Sequence, residues 1–135
     1  MMTEIGILSS MKAIKIDSLL NTITEIEISD DFRDISRNIG CDLFCVGHVL
    51  ANGDTLFVDD EGWINTNVTR AFGFAGRILA GNGLVLGCDG GGESVNVKST
   101  LEEVRKLVEF PPVGWMVTDE MRDDMCKMSF SALDN

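Results

Sequence analysis

The sequence predicts an α+β fold: an antiparallel sheet of about five or six strands with two helices and a C-terminal helical extension. Three observations point there. Runs rich in β-branched residues with period-two alternation recur through the first two thirds of the chain. Turn formers punctuate them at Asn21, Asn52-Gly53 and Gly81-Asn82-Gly83. The clearest helical stripe comes late, between a capping box and Pro111-Pro112. With 135 residues, 44% of them hydrophobic and 24% charged, the chain makes one ordinary domain and is too short for two independent cores. The expected organisation is an N-terminal arm over residues 1–11, a core domain over 12–110, and an extension over 111–135 that is helical and packs on the core.

Residues 12–17 read as a half-buried strand, with Ile14 and Ile16 on one face. After Asn21, residues 22–29 form its hairpin partner. There Ile23 faces away from Ile26 and Ile28, a break in alternation that a bulge would explain. Ser29 or Asp30 is placed to cap a short helix reaching Asn38, with Phe32, Ile35, Ser36 and Ile39 on one face and Gly40 closing it. Residues 41–50 and 55–58 read as a hairpin about Asn52-Gly53, with positive φ expected at both turn positions. Residues 59–62 make an acidic turn, and 63–74 have mixed periodicity that suits loop or irregular strand. Leu84-Val85-Leu86 is a short buried strand, and Gly90-Gly91-Gly92 connects to residues 94–97. Thr100 and Glu103 have capping-box spacing, followed by a stripe of Leu101, Val104, Leu107 and Val108. Thr118 or Asp119 caps a last helix presenting Met121, Met125, Met128 and Leu133.

Charge narrows the function classes. The chain carries 22 acidic against 11 basic side chains, a net charge of −11. Such a surface repels phosphate backbones, which argues against direct nucleic-acid binding. Two acidic groups stand out. Asp54, Asp59, Asp60 and Glu61 fall on a turn expected to project into solvent, with Trp63 just beyond. Asp119, Glu120, Asp123 and Asp124 follow in the last helix, where helical spacing makes like charges neighbours and only Arg122 and Lys127 offset them. These residues suit either a solvated face that keeps a small protein soluble or a surface that imitates the phosphate array of a nucleic acid. Calcium coordination at residues 54–61 lacks the EF-hand order of ligands. Trp63, Phe72, Phe74, Trp115 and Phe130, with Met116 and the methionines of the last helix, suit either core packing or an apolar anchor patch rimmed by acids.

Catalytic and metal signals are weak. Cys41 and Cys45 stand roughly 13 Å apart if the segment is extended, at about 3.3 Å per residue, with His48 expected on the opposite face. That spacing does not make a zinc site. No C-x-x-C, G-x-S-x-G or phosphate-binding glycine motif occurs, and His48 is the only histidine. The expectation is a protein without catalytic residues, metal or cofactor. Four cysteines fall short of a disulfide scaffold. No apolar run approaches the roughly 18 residues that span a bilayer, and the first ten residues lack the basic start of a secretory signal. A cytoplasmic setting is expected.

Four stretches carry a resemblance: Lys12-Ala13-Ile14-Lys15-Ile16-Asp17, Phe57-Val58-Asp59-Asp60-Glu61-Gly62, residues 67–71, and Gly83-Leu84-Val85-Leu86-Gly87 before an acidic loop and helix. Over residues 12–110 their order resembles a family of small uncharacterised proteins, a domain of unknown function, encoded by bacteriophages and other mobile elements. The part after Pro111 looks like an addition. The resemblance implies an accessory gene whose small acidic product blocks a host enzyme or immunity complex. Combined with the charge, the expectation is a non-enzymatic inhibitor of a basic host nucleic-acid-processing or defence protein or nucleoprotein complex, acting by nucleic-acid mimicry in the manner of anti-CRISPR or anti-restriction proteins. The alternative is a sponge that sequesters a small signalling molecule, as an oligomer such as a homodimer.

Overall fold

A computed structural model of the chain describes residues 10–29 and 31–134, with side chains as far as Cys126. The expected arm over residues 1–11 falls mostly outside them, but its last two residues, Ser10 and Met11, already belong to a strand. Nine strands and three helices are described: β1 Ser10–Asp17, β2 Thr22–Ser29, α1 Phe32–Ile39, β3 Phe44–Val49, β4 Thr55–Asp59, β5 Ala71–Phe74, β6 Arg77–Ala80, β7 Gly83–Cys88, β8 Ser94–Val95, α2 Leu101–Leu107, β9 Val108–Glu109 and α3 Asp119–Asp134. The larger sheet has the order β2-β1-β7-β4-β3, with β8 pairing β7, and every pairing is antiparallel. A second, three-stranded sheet has the order β6-β5-β9.

Both faces of the large sheet are covered. One face contributes Ile14, Ile16, Leu56, Val58 and Val85 to a core shared with Phe72, Phe74 and Leu79 of the small sheet and Val104 of α2. The opposite face contributes Met11, Ala13, Ile28, Leu84 and Leu86 to a core closed by Ile35 and Ile39 of α1. The result is three layers, with β7 in the middle and apolar on both sides.

This two-sided burial explains the broken alternation of β2. Ile23 packs toward the first core and Ile26 and Ile28 toward the second, while the β1–β2 register runs without a shift from Ser10↔Ser29 to Asp17↔Thr22. No bulge is present there. The bulge lies instead in β3, between Val46 and His48, where a Cβ on Gly47 would stand 3.1 Å from Val58. It brings His48 onto the same face as Cys45, contrary to simple alternation, and the imidazole lies 5.6 Å from the Phe74 ring.

Local signals placed most ends to within a residue. The cap of α1 is Asp31, whose side chain accepts from Arg33 N, and Gly40 ends the helix in the left-handed region. Asp30, one of the expected caps, lies outside the described residues. In α2 both halves of the capping box form: Thr100 Oγ1 accepts from Glu103 N at 3.1 Å, and Glu103 Oε1 from Thr100 N at 2.8 Å. Val108, expected in the helical stripe, instead starts β9 opposite Phe74. In the Asn52-Gly53 turn only Gly53 has positive φ, because the connection is a five-residue loop closed by Leu50 N donating to Asp54 O at 2.8 Å. Phe72 and Phe74 are fully buried core residues, not surface anchors, whereas Trp63 and Trp115 are half-buried. Among the described residues no helix is long and apolar enough to cross a membrane.

Candidate functional site

β4 carries an acidic residue just before its first residue and another at its end, and they do different things. Asp54 is 0% exposed. Its carboxylate accepts from Lys98 N at 3.0 and 3.1 Å and from Ser99 N at 2.7 Å, while Asn52 Nδ2 donates to Ser99 Oγ at 3.0 Å. This network fixes the segment leading into the α2 cap. Asp54 is therefore a structural residue and not part of a solvent-facing acidic turn, because the buried Ser99 amide and the part-buried Lys98 amide on the neighbouring segment require an acceptor there. It also cannot share a cation with the other acids, since five strand residues put Asp54 and Asp59 roughly 16 Å apart.

Asp59, Asp60 and Glu61 close the other end of β4. Asp59 is half-buried and its Oδ1 accepts from Glu61 N at 2.9 Å, an Asx-type turn that fixes the loop. Asp60 N donates to Leu43 O at 2.9 Å, while its side chain, like that of Glu61, is exposed. Trp63 is half-buried just beyond.

The C-terminal acids reach the same neighbourhood through one cation. Arg122, only 9% exposed, donates from its guanidinium to the carbonyls of Asn65 at 2.7 Å and Trp63 at 3.5 Å, and to Val68 O. Val117 N donates to Thr69 O at 2.8 Å alongside it. Thr118 caps α3, its Oγ1 accepting from Met121 N at 3.2 Å. Arg122 thus fastens the first turns of α3 to the loop that follows Glu61, leaving Asp119, Glu120, Asp123 and Asp124 exposed. Read from the sequence, Arg122 merely offsets charge. Buried against three carbonyls, it leaves the acids facing water, and only Asp119 stands near it, at 3.8 Å. Among the described residues no Lys or Arg pairs with Asp60, Glu61 or Glu120.

An open groove of about 350 Å³ adjoins this loop, between it and the C-terminal end of α1. Asp42, Asp59 and Glu61 line it together with Ser36, Asn65 and Cys41, and its one cation, Arg37, is held by Asp34 at 2.8 Å. The helix end adds the negative pole of its dipole. Asp42 and Asn65 are not among the residues the sequence singles out, and Ser36 is expected only as part of the α1 face. The signal available was Asp42 beside the Gly40-Cys41 helix stop, which places a carboxylate at that pole.

Burial pushes the Cys41 thiol from the usual 9.0 to about 11, helped by the nearby Asp59 carboxylate. Cys45 rises to about 11 for the same first reason, with a hydrogen bond to Asp60 adding to it. Both stay protonated at neutral pH, the form that neither attacks nor binds metal well. Cys41 packs toward the α1 side of the sheet and Cys45 toward the other core. Among the described residues no three His, Cys, Asp or Glu side chains converge to hold a metal ion.

Comparison with protein families matches residues 11–109 to a family described as a domain of unknown function (DUF3846). The chain belongs to that family. Its matched span takes in both sheets, α1 and α2 and stops at the last residue of β9, so α3 and the Arg122 anchor lie beyond the DUF3846 match. No curated protein and no solved structure matches the chain significantly.

Proposed function

We propose that this DUF3846 protein is a non-enzymatic binding protein that engages a basic surface of a nucleic-acid-processing or defence protein through the carboxylates of the Asp59–Glu61 turn and the first turns of α3. The observation that carries this reading is Arg122. Its burial against the loop after Glu61 joins two acidic segments far apart in sequence and turns its guanidinium to backbone carbonyls, with Asp119 alone among these acids within 4 Å of it. Each exposed carboxylate contributes about 0.2–1 kcal/mol, so affinity needs several acting together and weakens with salt. Half-buried Trp63, at the edge of the same loop, supplies the kind of aromatic contact that anchors an interface. In this proposal the protein is a cytoplasmic accessory product of a phage or mobile element that occupies the groove its target reserves for nucleic acid.

The test is displacement of a fluorescent DNA duplex from a panel of basic enzymes: a restriction endonuclease, an RNA-guided nuclease and an RNA polymerase. Displacement from at least one, lost when Asp60, Glu61, Glu120, Asp123 and Asp124 are changed to their amides, supports the proposal. Absence of displacement across the panel, or displacement by the neutralised variant, refutes it.

The groove favours a second reading, sequestration of a small cationic molecule. Its volume of about 350 Å³ is at the low end for ligand sites, which run to roughly 300–1,000 Å³ and are mostly apolar. This one is open and lined by carboxylates, so the reading ranks second. Mass measured under native conditions and again after denaturation would reveal a carried molecule.

A further inference from the structure

The large sheet ends in two unlike edges. β2, at one end, carries exposed Glu25 and Glu27, charges of the kind that keep an edge from pairing with another chain. β3, at the other end, has no charged residue from Phe44 to Val49. It leaves Val46 55% and Val49 59% exposed. In a chain of net charge −11, an edge without charge is where two copies meet with least repulsion.

The bulge arranges this strand for contact. Gly47 and His48 both turn toward the core shared with Val58 and Phe74, so Val46, opposite Phe57, and Val49, opposite Thr55, fall together on the other face. That is the face on which α1 packs over β2, β7 and β4. Arg77 of β6 holds the Gly47 carbonyl at 2.8 Å. Side chains on either side of the bulge therefore carry a contact, not an unbroken hydrogen-bond ladder.

The two ends of β3 differ in charge. Exposed Asp42 and Asp60 flank its start, where Asp60 N donates to Leu43 O. Beyond its end, the ammonium of exposed Lys98 donates to Asn52 O at 3.2 Å in the loop after Val49. A two-fold axis that runs two copies antiparallel lays each acidic end against the other copy's basic end, twice per dimer.

We propose that β3 is the interface between two copies of this chain, antiparallel about a two-fold axis, with Val46 beside Val49 of the second copy and Asp42 and Asp60 facing its Lys98. The inference does not rest on the basic partner proposed above, and Asp60 is the one residue the two surfaces share. Sedimentation velocity over a wide concentration range tests it. The full chain is expected to reach a dimer, Val46→Lys to remain a monomer with unchanged circular dichroism, and Lys98→Glu to weaken dimerisation roughly tenfold or more, since each reversal places like charges opposite one another twice. Adding Asp42→Lys to Lys98→Glu restores association in part. A wild-type monomer at every concentration overturns the proposal, as does a dimer indifferent to Val46→Lys and to Lys98→Glu.

Discussion

Replacing Asp54 with alanine removes the acceptor of two backbone amides, the buried one of Ser99 and the part-buried one of Lys98. A hydrogen bond to a charged group contributes roughly 1.5–3 kcal/mol, and a buried donor left unpaired loses about that much, so two donors give a loss of ~3–6 kcal/mol. Small domains have only about 5–15 kcal/mol in total. Asp54→Asn keeps one acceptor oxygen and is expected to lose about half as much. Thermal unfolding followed by circular dichroism measures both, with midpoints falling by roughly 10–20 °C for the alanine variant. The contrast with Asp60→Asn matters as much as the absolute figure, because that exposed side chain should shift the midpoint by no more than about 1–2 °C. Equal midpoints for Asp54→Ala and Asp60→Asn would refute the assignment of one acid to the fold and the other to the surface.

Other consequences follow from the same contacts. Arg122→Ala should cost about 2–4 kcal/mol and speed amide exchange across residues 63–69, while Arg122→Lys, which cannot reach three carbonyls in a fixed fork, should recover only part. Gly87→Ala should destabilise by roughly 1–3 kcal/mol or more, because the added Cβ would stand 2.1 Å from Asn96 O; Gly90→Ala, with nothing within 4 Å, serves as the control whose denaturant midpoint stays put. Cys41 and Cys45 should react slowly with a disulfide reagent near pH 8. Their folded pKa values lie above the unfolded one, so the stability they contribute is complete below pH 9.0 and is lost as pH rises through about 11, readable as an alkaline fall in the urea midpoint that Cys45→Ala reduces.

The legible parts of this fold were those whose signals are local. The Thr100–Glu103 box, the Gly40 stop and the apolar run of β7 each depend on a few neighbouring residues. β6 escaped notice because its turn is Ala75-Gly76, both at positive φ, without the Asn-Gly pair that usually announces such a hairpin. The missing bulge in β2 and the unforeseen one in β3 share a cause. Alternation reports one buried face, and here both faces of the sheet are buried, so a shift in pattern does not tell a bulge from a second core. The acidic residues show the same limit at the site. Asp54 and Asp60 read alike in sequence, and only the position of the Lys98–Ser99 amides separates them. Arg122 among its acids suggested neutralisation; its three carbonyl partners lie more than fifty residues away.

In the function proposed for this protein, the carboxylates of the Asp59–Glu61 turn and of α3 form the surface presented to a basic partner. The most direct measurement is the affinity for whichever enzyme of the panel yields its DNA, taken across a salt series for the native chain and the five-amide variant. A steep loss of affinity with salt in the native chain, flattened and weakened in the variant at an unchanged melting temperature, is the expected result. Identical salt slopes and affinities for the two proteins would contradict it.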